Sequence, residues 1–175
     1  MQLTTEQSKI VDSLPLPDGK KEFLSKVALA VMQADPEMHG INPRVMLAQA
    51  ILETGWGSSS LAWRYNNLFG MKYWGEGKAT PPIRTSEYAG RGDPYTINAR
   101  FRAFDSLLES VQAYIADISS DPWYKDATRY PHDDSKYLNG LLNGKMAYAT
   151  TPTYKSMILN IIEKFHLRQL TRLPT

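Results

Sequence analysis

The sequence predicts a mainly α protein of the α+β class, a helical lobe interrupted by a small β-hairpin lobe. Three observations carry that prediction. Apolar residues recur at helical spacing around Phe23 to Val31, Leu107 to Ile118 and Met157 to Phe165. Between Ile41 and Leu52 every residue except Asn42, Pro43, Arg44 and Gln49 is apolar, the pattern of a helix buried on nearly every side. From Leu68 to Phe104 the texture changes to short aromatic and β-branched stretches punctuated by Gly70, Gly75, Gly77, Pro81, Pro82, Gly90, Gly92 and Pro94.

Taken in order, the elements begin with a short polar helix from Thr5 to Ser13, broken by Leu14, Pro15, Leu16 and Pro17. Asp18 is placed to cap a longer helix whose stripe is Phe23, Leu24, Val27, Ala28, Ala30 and Val31, with Asp35 and Pro36 as its stop. Asn42 suits the N-cap of the apolar helix, and Pro43 takes its first position, where a missing N–H costs nothing. Gly55 and Gly57 end it. In the β lobe, Ile83, Thr85 and Glu87, a glycine-rich turn, and then Tyr95, Ile97, Ala99 and Phe101 read as two strands joined by a hairpin or longer loop. Asp105 or Ser106 caps the next helix, with Glu109 spaced for a capping box on Ser106 and Leu107, Leu108, Val111, Tyr114, Ile115 and Ile118 as its stripe. Asp121 and Pro122 stop it. A loose region with Pro131, Asp133, Asp134, Gly140 and Gly144 leads to a last helix after Pro152, carrying Met157, Ile158, Ile161, Ile162 and Phe165. The expected organisation is one domain over 1–175, with a helical extension at 1–40, an α lobe at 41–67 and 105–170, and a β lobe at 68–104.

Composition excludes several classes. The 175 residues, 42% hydrophobic, are enough for a sizeable core. Twenty basic against eighteen acidic residues give a net charge of +2, too mild to indicate nucleic acid, although it permits an anionic polymer. Without cysteine there is neither a disulfide framework nor a thiolate metal site. His39, His132 and His166 are scattered and fit no HExxH pattern, so no metal or cofactor is expected. Gly77 and Lys78 fail as a phosphate loop, because Lys72 stands where the earlier glycine belongs and Ala79 where the hydroxyl belongs. A GxSxG elbow is missing, and Arg100 and Arg102 alternate as on a solvated sheet face. No apolar run reaches spanning length, and Met1 to Ser8 has neither a basic leader nor an apolar stretch. Neither membrane insertion nor a signal peptide is expected in this chain.

One carboxylate stands out. Glu53 follows the apolar helix at its C-terminal end, the wrong end of the dipole for an anion, in a segment expected to be buried. Desolvation and dipole would both raise its pKa and leave a proton to donate near neutral pH, the profile of a general acid. Glu87, between Ser86 and Tyr88, is the β-lobe acid set among aromatic and hydroxyl neighbours, and a second carboxylate on another element suits glycoside hydrolysis. Trp56, Trp63, Tyr65, Phe69, Tyr73, Trp74, Tyr88 and Tyr95 cluster between or near the two acids; most are core, but their density fits a carbohydrate groove.

Five ordered blocks carry a resemblance over roughly Ile41 to Phe165. Ile51 to Gly57, Asn66 to Lys72, Thr85 to Tyr88, Phe101 to Ser106 and Tyr148 to Tyr154 resemble the signature of the family 73 peptidoglycan N-acetylglucosaminidases, which includes the C-terminal domain of the flagellar rod-associated muramidase. The resemblance implies a lysozyme-like helical lobe with a β-hairpin lobe over a sugar-binding groove. It further implies cleavage of the β-1,4 bond following N-acetylglucosamine in peptidoglycan. Glu53 is then the proton donor, Glu87 the candidate second carboxylate and Tyr148 a group near the reaction centre. Trp56, Asn67, Phe69, Trp74, Tyr88 and Tyr154 are the candidate substrate-binding residues. If the acids stand too far apart, either the lobe closes or the substrate's acetamido group assists. Many relatives carry Asp where this chain has Thr151, so any role of that acid is absent here. The expected partner is the peptidoglycan glycan strand, met by a monomer at the bacterial cell wall, alone or attached to a phage particle or flagellar assembly. Two rivals remain: a lytic transglycosylase leaving 1,6-anhydro-muramic ends, and a non-catalytic wall-binding or tail module.

Overall fold

The computed structural model describes residues 1–88, 94–144, 147–149 and 151–172, with the backbone alone for 86–88 and 94. The helices are α1 (Thr5–Ser13), α2 (Asp18–Ala34), α3 (Pro43–Thr54), α4 (Ser60–Tyr65), α5 (Leu107–Ser120), α6 (Asp134–Leu142), α7 (Tyr154–Lys164) and α8 (Leu167–Leu170). Four short strands, β1 (Lys78–Ala79), β2 (Ile83–Tyr88), β3 (Pro94–Ala99) and β4 (Arg102–Ala103), form the small lobe.

The apolar run becomes the central helix. α3 packs against α2, α6, α7 and α8, and only Arg44, Leu52 and Glu53 along it are not fully buried. Its start is the expected one: the Asn42 side-chain oxygen accepts from the N–H groups of Arg44 and Val45, each at 3.0 Å. Its end is set by Gly55 in the left-handed conformation at φ 54°. Around it, Val11 of α1, Leu14 just after that helix, and Leu24, Val27 and Val31 of α2 join the same apolar cluster as Ile158 and Ile162 of α7.

Several local expectations change. Asp18 does not cap α2; it is the first helical residue, and the carbonyl of Pro17 accepts the N–H groups of Lys20 and Lys21. Ser106 caps α5 as expected, but Glu109 reaches the N–H of Asp105 at 2.9 Å, one residue earlier than a standard box. Asp105 itself pairs with Lys78 on the surface. The supposedly loose region contains α6, begun by Asp133, whose carboxylate accepts the Lys136 N–H at 2.9 Å, and buried through Tyr137, Leu138 and Leu141. Gly140 does not break the helix but serves close packing, since a Cβ there would stand 2.2 Å from the Ala127 nitrogen. Two more short helices were unforeseen, α4, in which only Ala62 is buried, and α8.

In the β lobe, β2 and β3 pair antiparallel with Ile83 opposite Ala99, Thr85 opposite Ile97 and Glu87 opposite Tyr95. Gly90 and Gly92 lie outside the described residues. Phe101 is not part of β3; it is buried and bridges Lys72, while β1 and β4 make a second two-stranded ribbon.

One carboxylate ties α3, α6 and α8 together. Asp134 is buried and accepts from Asn42 Nδ2 at 2.9 Å, Arg44 Nε at 2.7 Å and Arg168 Nη2 at 2.7 Å. Burial alone would raise its pKa, but the hydrogen bonds of Arg44 and Asn42 and the charges of Arg44 and Arg168 outweigh that and hold it low. Replacing Asp134 by Ala leaves the half-buried Arg44 guanidinium with only Glu37 at 3.4 Å and the Pro131 carbonyl, and leaves the Asn42 amide without its acceptor, so chemical denaturation at pH 7 is expected to show a loss of about 3 kcal/mol. The carboxylate's folded-state pKa is depressed, so its contribution is complete above the ordinary aspartate value. It disappears as pH falls through the lowered one, and the gap between variant and parent closes there.

Candidate active site

A cleft of about 780 Å³ opens between the helical core and the β lobe. α3 brings Glu53 to it; the segment after α4 brings Phe69, Met71, Lys72, Trp74 and Glu76; β4 brings Arg102. Tyr114, Asp117, Ile118 and Asp121 follow one another at i, i+3, i+4 and i+7, so a single face of α5 and its end forms the opposite wall. Tyr124 and Tyr148 complete it.

Glu53 departs from expectation in one respect: it is exposed toward the cleft rather than enclosed in the core. The helix is buried but its last turn ends at the wall, which is where an acid must be to meet a ligand. Neighbouring walls still strip enough water from the carboxylate to raise its pKa above the ordinary glutamate value, and among the described residues no hydrogen bond or cation offsets that loss.

Behind Glu53 lies a group of tyrosines. Tyr148 packs edge-on to Tyr114 at 6.1 Å and to Tyr124 at 6.5 Å between ring centres, and tilts against Tyr154 at 6.1 Å. Burial first, and then the neighbouring Tyr154 and Glu53, push its phenol well above the usual value, so it is a neutral hydrogen-bonding group at any physiological pH. Gln49, one turn before Glu53, joins the others: its oxygen accepts from Tyr114 Oη at 2.5 Å and its amide donates to Tyr154 Oη at 3.1 Å. Gln49 was missed, although a polar residue inside an otherwise apolar helix was the signal.

The remaining candidates divide. Phe69 and Trp74 line the cleft, Phe69 buried against Tyr114 at 4.4 Å and Trp74 fully open to solvent. Tyr154 is buried behind Tyr148 and is not among the cleft's lining residues. The structure takes Trp56 and Asn67 away from the groove. Trp56 packs edge-on to Phe165 at 4.7 Å with Lys20 above its ring. Asn67 is buried and donates to the carbonyls of Met71 and Arg102, both at 2.9 Å, which pins the base of the β lobe. Glu87 and Tyr88 sit in β2, and their side chains lie outside the described residues. Arg102, expected on a solvated face, is half-buried, pairs with Asp117 at 3.1 Å and stands over Phe104. Asp117, which the apolar stripe of α5 does not include, and Asp121, expected only as the stop of that helix, both line the cleft.

A helical body and a small β lobe thus flank an open cleft that holds a partly desolvated acid among aromatic walls. The chain belongs to the glucosaminidase family: residues 30–167 match the family model described as mannosyl-glycoprotein endo-beta-N-acetylglucosaminidase. It is similar to the peptidoglycan hydrolase FlgJ of Salmonella typhimurium, 31% identical over 86% of this chain and 48% of the relative. It is also similar to a probable N-acetylmuramidase of Lactococcus lactis, 36% identical over 86% of this chain and 34% of the relative. The chain thus spans between about a third and a half of the curated relatives it matches. Among solved structures, the catalytic domain of the autolysin Auto from Listeria monocytogenes superposes with a TM-score of 0.76 at 28% identity, over 97% of this chain and 99% of that one.

The raised pKa of Glu53 has a stability consequence. Above it, the folded state carries an unpaired, partly dehydrated charge that the unfolded chain hydrates freely. Below the ordinary glutamate value both states are protonated and the penalty vanishes. Glu53→Gln is therefore expected to melt higher than the parent at pH 7, with the gap closing as pH falls below the ordinary glutamate value in a thermal scan series.

Proposed function

We propose that this chain hydrolyses the β-1,4 bond between N-acetylglucosamine and N-acetylmuramic acid in peptidoglycan, with Glu53 as general acid. The observation that carries the reading is an acid without a partner among the described residues, its pKa raised by lost hydration, in a cleft walled by Phe69, Trp74 and Tyr148. A bound glycan displaces more water and keeps the proton on Glu53 until the leaving oxygen takes it. Tyr148, neutral and adjacent, is suited to hydrogen-bond the sugar or the developing charge. The names of the relatives, peptidoglycan hydrolase, N-acetylmuramidase and exo-glucosaminidase, support the substrate class. The protein acts as a monomer at the bacterial wall, its α lobe (41–67 and 105–170) carrying the acid and its β lobe (68–104) closing the groove.

Glu87 is the second carboxylate of this proposal. It would activate water from roughly 6.5–9.5 Å or attack from about 5 Å.

Glu53→Gln preserves shape and removes the transferable proton, so release of soluble fragments from purified sacculi is expected to fall by about 10²–10⁴-fold with the circular dichroism spectrum unchanged. Mass spectrometry of the parent digest should show reducing-end N-acetylglucosamine. Anhydro-muropeptides would instead make the protein a transglycosylase, and sacculus binding without any soluble product would make it a wall-binding module. Glu87→Gln should lower kcat while leaving KM and melting temperature in place; an unaltered kcat would transfer its role to the substrate's acetamido group.

A further inference from the structure

A second concavity of about 550 Å³, within the usual size range of ligand pockets, lies beside the cleft. It is walled by Trp123, Tyr130, Asn139 and Asn143, with Asp126, Arg129 and Lys136 at its edges. Two large rings are left in water here, Trp123 at 48% exposure and Tyr130 at 43%. The charges around them are already matched within the protein: Arg129 pairs with Asp126 at 3.1 Å and Lys136 with Asp133 at 3.7 Å. Asn139 accepts from Lys155 through its oxygen at 2.7 Å, and its NH₂ keeps its donors free among the described residues. The Lys136 ammonium stands over the Tyr130 ring at 5.3 Å, so it is the exposed Trp123 ring beside spare amide donors, with the ions internally neutralised, that makes a surface for an uncharged polyhydroxylated ligand rather than for an ion.

The groove and the cleft meet at one turn. The three-residue turn Pro122–Tyr124 is fixed by Asp121, whose carboxylate accepts the Trp123 N–H at 2.9 Å. Within that turn Tyr124 lines the cleft and its neighbour Trp123 lines the second concavity. The turn is therefore a wall shared by the two concavities.

We propose that this groove is a second glycan-binding site, holding uncharged sugar units of the same strand beyond those in the cleft. The inference rests on the glycan-strand reading of the cleft, and it assigns Trp123 the stacking platform.

The test uses the full chain with Trp123→Ala, Trp123→Phe and, as the silent background for binding, Glu53→Gln. Co-sedimentation of the silent protein with purified sacculi is expected to weaken roughly three- to tenfold on adding Trp123→Ala and to recover with Trp123→Phe, which keeps a stacking face. Turnover of a short soluble glycan that ends within the cleft should stay at the parent value in Trp123→Ala. Equal sedimentation of Trp123→Ala and parent overturns the groove, and so does an equal loss on short and long substrates, which would mark a damaged cleft. A parent inert on both substrates defeats the hydrolase reading instead, while sedimentation still reports on the groove.

Discussion

The buried carboxylate of Asp134 is the constraint on which the position of the cleft depends. Two helix-borne guanidinium groups and the Asn42 amide meet it, and the same Asn42 caps α3 with its other atom. A buried ion is costly unless its lone pairs are filled, and here three donors fill them. The result fixes the N-terminal end of α3 against α6 and α8. α3 is then a packed rod of twelve residues, roughly 18 Å long, so its far end cannot shift unless the core shifts with it. Glu53 rides on that far end. The network and the acid are at opposite ends of one rigid element, which lets the stabilising carboxylate be fully satisfied while the reactive one stays unsatisfied.

The chemistry of the cleft follows from that separation. Among the described residues Glu53 has no cation partner, and the cost of that misfit is offset far away. The groups behind it add no competing charge: Tyr114, Tyr148 and Tyr154 are all held protonated by burial, and Gln49 neutrally bridges two of them. A lysine in place of Gln49 would pull the Glu53 pKa back down. The tyrosine wall thus leaves the raised pKa of Glu53 in place by the charges it lacks.

Much of this was legible in the sequence. Asn42, Pro43 and Gly55 marked the limits of α3 because capping chemistry is local, and the apolar run between them could only be interior. The strand pair Ile83 to Tyr88 with Tyr95 to Ala99 was visible for the same reason. What failed was what depends on distant partners. Gly140 and Pro131 looked like breakers, yet α6 forms because its Tyr137, Leu138 and Leu141 face finds the core and Gly140 lets Ala127 approach. Asn67 belonged to a motif, but the carbonyls of Met71 and Arg102 claim its amide, and Trp56 is claimed by Phe165. Asp117 and Asp121 became visible only once α5 was known to present its second face to a cleft. Local signals name an element; only packing says which of its faces is free.

The same rule governs the three-residue turn after α5. Consecutive side chains on a tight turn diverge, so Trp123 and Tyr124 cannot serve one concavity, and whichever faces away from the cleft must find another neighbour or remain in water. A chain under pressure only to bury apolar area would place a small polar residue at the outward position. This one places its largest ring there, beside Tyr130 and two asparagines, over ions that are already paired. On the proposed reading, a sugar stacked on such a ring would lengthen residence on the strand without touching the acid's environment, so holding would be tuned apart from the cleft's chemistry.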